Sequence, residues 1–165
     1  VIFVTVGSQL PFDRLVGAMD RWAAAHPDTE VFGQILTDGQ SGFRPQHFRT
    51  VRSLAPAEFA SRCAAARCIV SHAGTGVMIA AMTHRVPLVV LPRRSGTGEV
   101  RNDHQLDTVA HLGGRPGIFV AMTTADLPDA LEAALAEGAP RPDMKPEADP
   151  DMIARIRAEI FRGRR

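Results

Sequence analysis

The chain has 165 residues, 45% of them hydrophobic, which suits one globular domain with its own core. Its 19 Lys and Arg against 18 Asp and Glu leave a net charge of +1, so no basic field marks a nucleic-acid binder. No signal-peptide pattern and no apolar run near the roughly 20 residues of a membrane span is present, and two cysteines, Cys63 and Cys68, make neither a disulfide framework nor a closed zinc site.

Val1 to Val6 is an almost wholly apolar run, as expected of a strand buried on both faces. Gly7-Ser8-Gln9 turns the chain, and Pro11 and Phe12 open a helix with Leu15, Val16, Met19 and Trp22 at helical spacing, ending near His26-Pro27. Val31 to Leu36 is the next strand, 37 to 48 a loop, and Phe48 to Val51 a short strand. An Ala-rich helix over Pro56 to Ala66 leads to a strand at 68 to 70, a helix at about 76 to 84 and a strand at 88 to 91. A helix over about 103 to 112, a strand over Ile118 to Ala121 and a helix over Ala125 to Glu137 follow. Strands alternating with helices specify an α/β protein with a doubly wound, mostly parallel sheet. The division expected is a domain over 1–137, a Pro-rich charged linker over 138–150, and an amphipathic basic helix over 151–165.

The chemistry concentrates between Ile69 and Gln105. A strand runs into Ser71-His72-Ala73-Gly74-Thr75-Gly76 and then a helix. The free N–H groups and positive dipole end of a helix start attract anions, and glycines admit a diphosphate close to the backbone. The next strand delivers a polar loop ending Asn102-Asp103-His104-Gln105 to the same sheet edge, where open α/β sheets bind ligands. The pattern points to a nucleotide carrying a sugar. Neither Ser8 nor Ser71 lies in a G-x-S-x-G elbow, which speaks against a serine hydrolase. The first turn lacks G-x-G-x-x-G, which speaks against a Rossmann-type oxidoreductase.

At these residues the chain resembles the C-terminal, donor-binding half of family 28 glycosyltransferases, a two-domain GT-B fold. The resemblance covers about residues 1 to 137 and rests on three motifs in order: Val4-Thr5-Val6-Gly7-Ser8, Ser71-His72-Ala73-Gly74-Thr75-Gly76, and Leu91-Pro92-Arg93-Arg94 with Gly98-Glu99 and Arg101-Asn102-Asp103-His104-Gln105. It is most similar to the small subunits of split enzymes that make dolichol-linked chitobiose or bacterial exopolysaccharide.

The resemblance implies a Rossmann-like half of a GT-B enzyme, an inverting, UDP-sugar-dependent hexosyltransferase acting on a lipid-linked acceptor. It implies no cofactor and no metal. Gly7 and Ser8 face the diphosphate or the acceptor cleft; Ser71, His72, Ala73, Gly74, Thr75 and Gly76 cradle the donor. Beside a diphosphate the charged form of His72 is favoured. His104 and Gln105 hold sugar hydroxyls, a Gln amide being able to donate and accept. Asn102 belongs to the same donor-binding group; read from the residues alone, Asn102 or Asp103 also caps the following helix. Arg93, Arg94 and Arg101 are candidates for phosphate contacts, and Glu99 either binds sugar or orients an Arg. Where many relatives carry a ribose-binding Glu, six residues after Gly74, this chain has Ala80.

No general base stands out, and a complete GT-B enzyme needs two domains. The expectation is therefore a separate, membrane-anchored subunit carrying the acceptor domain, with this chain cytoplasmic and peripheral on the inner face of the membrane. The C-terminal helix is a candidate for packing on that partner, on its own sheet, or on the membrane surface. The alternative function is a non-catalytic nucleotide-sugar-binding or regulatory subunit, with a Rossmann-type oxidoreductase as the weaker third reading.

Overall fold

A computed structural model describes residues 1–7, 10–36, 43–100, 103–143 and 150–162. Among the described residues six strands form one sheet: β1 (Ile2–Thr5), β2 (Val31–Gln34), β3 (Arg49–Val51), β4 (Cys68–Ser71), β5 (Leu88–Val90) and β6 (Ile118–Val120). Every pairing is parallel, in the order β3-β2-β1-β4-β5-β6. The helices are α1 (Asp13–Ala25), α2 (Pro56–Ala65), α3 (Thr75–His84), α4 (His104–Leu112), α5 (Leu127–Leu135) and α6 (Pro150–Phe161). A doubly wound sheet requires covering on both faces, and two hydrophobic clusters supply it. Ile2, Val4, Val70 and Val89 point to the side of α1 and α5. Phe3, Ile69, Leu88 and Val90 point to the side of α2, α3 and α4. This alternation follows from the two-residue period of a strand.

All the expected elements form, most with ends shifted by a residue or two; the C-terminal helix, expected over 151–165, ends at Phe161, and residues 163–165 lie outside the described residues. One shift carries function: β4 extends through Ser71, in register with Thr5 of β1. A 3-10 turn at Ser95–Thr97 interrupts the loop after β5. Within the loop over 37 to 48, residues 37–42 lie outside the described residues. Cys63 and Cys68 are free and buried, and burial pushes their thiols up to about 11 and about 12.

Asp20 is a polar anchor inside this frame. It is buried on α1, and its Oδ1 accepts the amides of Gln46 and His47, each at 2.8 Å, while Oδ2 lies 3.2 Å from His47 Nδ1. The segment entering β3 is thereby tied to α1.

After α5 the chain passes Gly138, whose φ is +77°, and Pro142 packs against Gly117 so closely that no Cβ fits on that glycine. Of the expected linker, 144–149 lies outside the described residues. No helix among the described residues is long and apolar enough to cross a membrane.

Candidate functional site

The strand order reverses between β1 and β4, because β1 leads outward to β2 and β4 outward to β5. The loops leaving these two strands diverge and open a crevice at their C-terminal ends. A cavity of about 520 Å³ lies there, lined by Thr5, Gly7, His72, Gly74, Thr75, Gly76, Arg93 and Gln105, with Gln34 and Phe59 at its side.

Gly74 caps α3 with no side-chain hydrogen bond, and no acid lies in the first turn. The intrahelical ladder begins with the Met78 amide donating to Gly74 O at 3.2 Å. The amides of Thr75, Gly76 and Val77 therefore precede that ladder, where an anion is stabilised by the donors and the dipole. Two glycines keep the floor open. Gly7 has φ +79°, and a Cβ there would lie 2.8 Å from His72 Cε1; a Cβ on Gly74 would collide with His72 Nε2. Gly76 has nothing within 4 Å of its virtual Cβ, so it faces open space.

His72 stands over this floor. Ser71 Oγ donates to Thr5 O at 2.6 Å and lies 3.1 Å from His72 Nδ1. Burial, and then the charge of Arg93, push the imidazole down to about 4. Both causes, burial foremost, disfavour the imidazolium; the charged form expected from the sequence is the one beside a diphosphate.

Arg93 is only 3% exposed. Its Nη2 donates to Val6 O at 2.9 Å and Leu10 O at 2.7 Å, and its Nη1 to Pro11 O at 2.6 Å and more weakly to Glu99 O at 3.4 Å. The guanidinium lies 4.5 Å above the Phe12 ring. This one side chain laces the loop after β1 to the loop after β5. Beside it, Glu99 accepts Arg14 Nε and Nη2 at 2.8 and 2.9 Å and the Arg94 amide at 3.1 Å. Burial raises the Glu99 carboxyl, but these hydrogen bonds and the Arg14 charge outweigh it and hold the group below its usual range. Gln105 Oε1 accepts the amides of Ala73 at 3.2 Å and Arg93 at 3.0 Å, joining the loops after β4 and β5.

A family model, the glycosyltransferase family 28 C-terminal domain, matches residues 1–156. The chain belongs to this family. Among solved structures it is similar to the glycotransferase of kitacinnamycin, at 22% identity and TM-score 0.56, covering 95% of this chain and 37% of that one. It is also similar to MurG of Acinetobacter baumannii, at 17% identity and TM-score 0.58, covering 82% and 41%. A third likeness is to UDP-GlcNAc 2-epimerase of Methanocaldococcus jannaschii, in complex with UDP-GlcNAc and UDP, at 13% identity and TM-score 0.59, covering 98% and 45%. These identities establish the fold, one Rossmann-like half of the GT-B architecture. The chain spans less than half of each of these structures. No match was found among curated proteins.

The family 28 domain brings together Gly7, His72, Gly74, Thr75, Gly76 and Gln105 around the cleft, as the sequence motifs imply. Other expected ligands have different places. Ser71 is fully buried behind His72, since it is the last residue of β4 rather than the first of the loop. The Ala73 amide is occupied by Gln105. Arg93 touches the cleft, but its terminal nitrogens are occupied by carbonyls. Glu99 orients Arg14, the second of its two expected roles. His104 is 80% exposed with Asp107 Oδ2 at 3.8 Å and does not line the cleft, because neighbours on a helix diverge by about 100°. Arg94 Nη2 donates to Met122 O at 2.8 Å. Asp103 stands at the start of α4 without capping it; its carboxylate instead accepts the Ser95 amide and hydroxyl, both at 2.9 Å. Ser8, Arg101 and Asn102 lie outside the described residues.

Sequence reasoning missed Arg14, Asp20 and the cleft residues Gln34 and Phe59. Arg14 and Asp20 sit within an ordinary amphipathic helix pattern, and their partners are distant in sequence. Gln34, a polar residue within the apolar run Val31 to Leu36, was the one available signal.

Proposed function

We propose that this domain binds the donor of a UDP-sugar-dependent, inverting glycosyltransferase that acts on a lipid-linked acceptor. The observation that carries the reading is the uncapped start of α3, floored by Gly7 and Gly74 at the β1/β4 crevice, in a family 28 domain. The diphosphate lies against the amides of Thr75, Gly76 and Val77, which stabilise the leaving nucleotide as charge develops on it. Gln105, its Oε1 already occupied, presents its amide N–H groups to the sugar. The structural neighbour whose complex contains UDP-GlcNAc and UDP supports a uridine nucleotide. No cofactor or metal has a part in this reading.

Acceptor binding and the general base belong to a second domain, which we place on a membrane-anchored partner subunit, with this chain peripheral on the inner face of the membrane. Helix α6 is the contact we assign to that partner. Its Met152, Ile153, Ile156 and Ile160 are 38 to 61% exposed, an apolar stripe that a partner would cover.

Titration of the purified chain with UDP, UDP-sugars and NAD, beside His72→Ala, tests the donor reading. Saturable UDP-sugar binding that weakens in the variant is expected; NAD binding instead would overturn it. Transfer should require the partner and disappear when residues 150–165 are deleted. Unchanged assembly after that deletion would remove α6 from the interface, and UDP-sugar binding without transfer in the assembled complex would favour the non-catalytic alternative.

A further inference from the structure

Thr5 O is a carbonyl, so at 2.6 Å from Ser71 Oγ it can only accept the serine proton. The serine hydroxyl has one proton. The contact from Ser71 Oγ to His72 Nδ1, at 3.1 Å, then leaves the oxygen as acceptor and Nδ1 as donor. The other ring nitrogen, Nε2, faces the floor between Gly7 and Gly74. In the neutral ring that nitrogen bears a lone pair. A phosphate oxygen arriving over the two glycines meets a lone pair, an arrangement that repels until Nε2 is protonated.

We propose that Ser71 is a positioning residue that fixes His72 as the Nδ1–H tautomer, and that anion binding in the cleft loads a solvent proton onto Nε2. The imidazolium then donates from both nitrogens, to Ser71 Oγ and to the phosphate. The proton coupling rests on the donor reading; the tautomer does not. The groups packed around the ring are consistent with this. From β1 and the turn after it they are Thr5 and Gly7, from the start of α3 Gly74, Thr75 and Val77, and from α4 Gln105, none of them charged. From the β5 loop the charge acting on it is Arg93, backed by the Arg14–Glu99 pair. These surroundings favour the neutral ring, and an arriving anion supplies the opposite charge that reverses this.

Two measurements on the full chain test the proposal. Long-range ¹⁵N–¹H NMR of the unliganded protein at pH 7 should show a proton on Nδ1 of His72 and none on Nε2; a proton on Nε2 overturns the tautomer assignment. Calorimetry with UDP-glucose and UDP-N-acetylglucosamine, whose diphosphates do not titrate near neutrality, is then run in buffers of different ionisation enthalpy. Uptake of about one proton per ligand is expected at pH 7, with affinity falling about tenfold for each unit of rising pH. Binding without proton uptake overturns the coupling and leaves the donor reading standing. Failure of both sugar nucleotides to bind overturns the donor reading and the coupling with it, while the NMR result still decides the tautomer. His72→Gln offers N–H donors without titrating, so it should bind with no uptake; persistent uptake would place the proton elsewhere. Ser71→Ala should release the tautomer and lower the uptake, and an unchanged ring spectrum and proton count would remove Ser71 from the device.

Discussion

Arg14 and Glu99, 85 positions apart, meet in a two-pronged ion pair, Nε to Oε1 at 2.8 Å and Nη2 to Oε2 at 2.9 Å. The same Arg14 Nη2 donates to Pro92 O at 2.8 Å. The first turn of α1 is thus fastened to the loop after β5, beside the cleft. Both side chains are largely shielded, at 25% and 13% exposure, so this pair exceeds an ordinary surface bridge. Glu99→Gln should cost about 1–3 kcal/mol in denaturant unfolding. A double-mutant cycle with Arg14→Gln should return a coupling above about 0.5 kcal/mol. A smaller value would show that the pair does not hold the loops.

Arg93→Lys tests whether the guanidinium fork or merely its charge matters. A lysine ammonium cannot span carbonyls of Val6, Leu10 and Pro11 in one plane, nor stack on Phe12 in the same way. A loss of about 2–3 kcal/mol is expected. Retained stability with weakened UDP binding would instead assign Arg93 to the ligand.

The glycines of the α3 cradle should separate. Gly74→Ala drives a methyl into His72 and is expected to destabilise the domain. Gly76→Ala meets nothing within 4 Å and replaces a poor helix former inside α3. It should gain up to about 1 kcal/mol while weakening diphosphate binding. Thermal unfolding and UDP titration of the two variants check this. Equal effects of both on stability would refute the steric account.

Acid should destabilise the domain partly through His72. Its folded pKa, about 4, lies below the ordinary histidine value of about 6.5, so the unfolded chain binds more protons between them. The contribution is therefore present above about pH 6.5 and is lost as pH falls toward 4. Glu99, held below its usual range, adds a loss in the same direction at lower pH. Between pH 7 and 4.5, His72→Gln should lose roughly 1–2 kcal/mol less than the parent protein. Parallel curves would mean that the ring titrates normally.

Asp20→Ala should cost about 1–3 kcal/mol, since two amides at 2.8 Å lose their acceptor. Hydrogen exchange should quicken first in the segment entering β3. Uniform quickening across the sheet would argue that Asp20 acts globally.

The sequence by itself determined the α/β class, the six strands, the helices between them and the position of the glycine turn at the start of α3. These rest on local signals: apolar runs of strand length, helical spacing in α1, and glycines ahead of a helix. Motif order also placed Gly7, His72, Gly74 and Gln105 at one sheet edge, because parallel crossovers bring every strand's C-terminal end to the same side. Only the tertiary structure decided what the polar side chains do there. Arg93 reads as a phosphate ligand until the β1 loop folds over it and takes its donors. Glu99 reads either as a sugar ligand or as a partner that orients an Arg until α1 brings Arg14 within 2.8 Å and selects the second. Ser71 leaves the cleft because one added residue of strand turns its side chain into the sheet, toward Thr5 and His72. A residue's type fixes which hydrogen bonds it is able to make, but its partners lie tens of positions away, and the packing of distant loops selects among them.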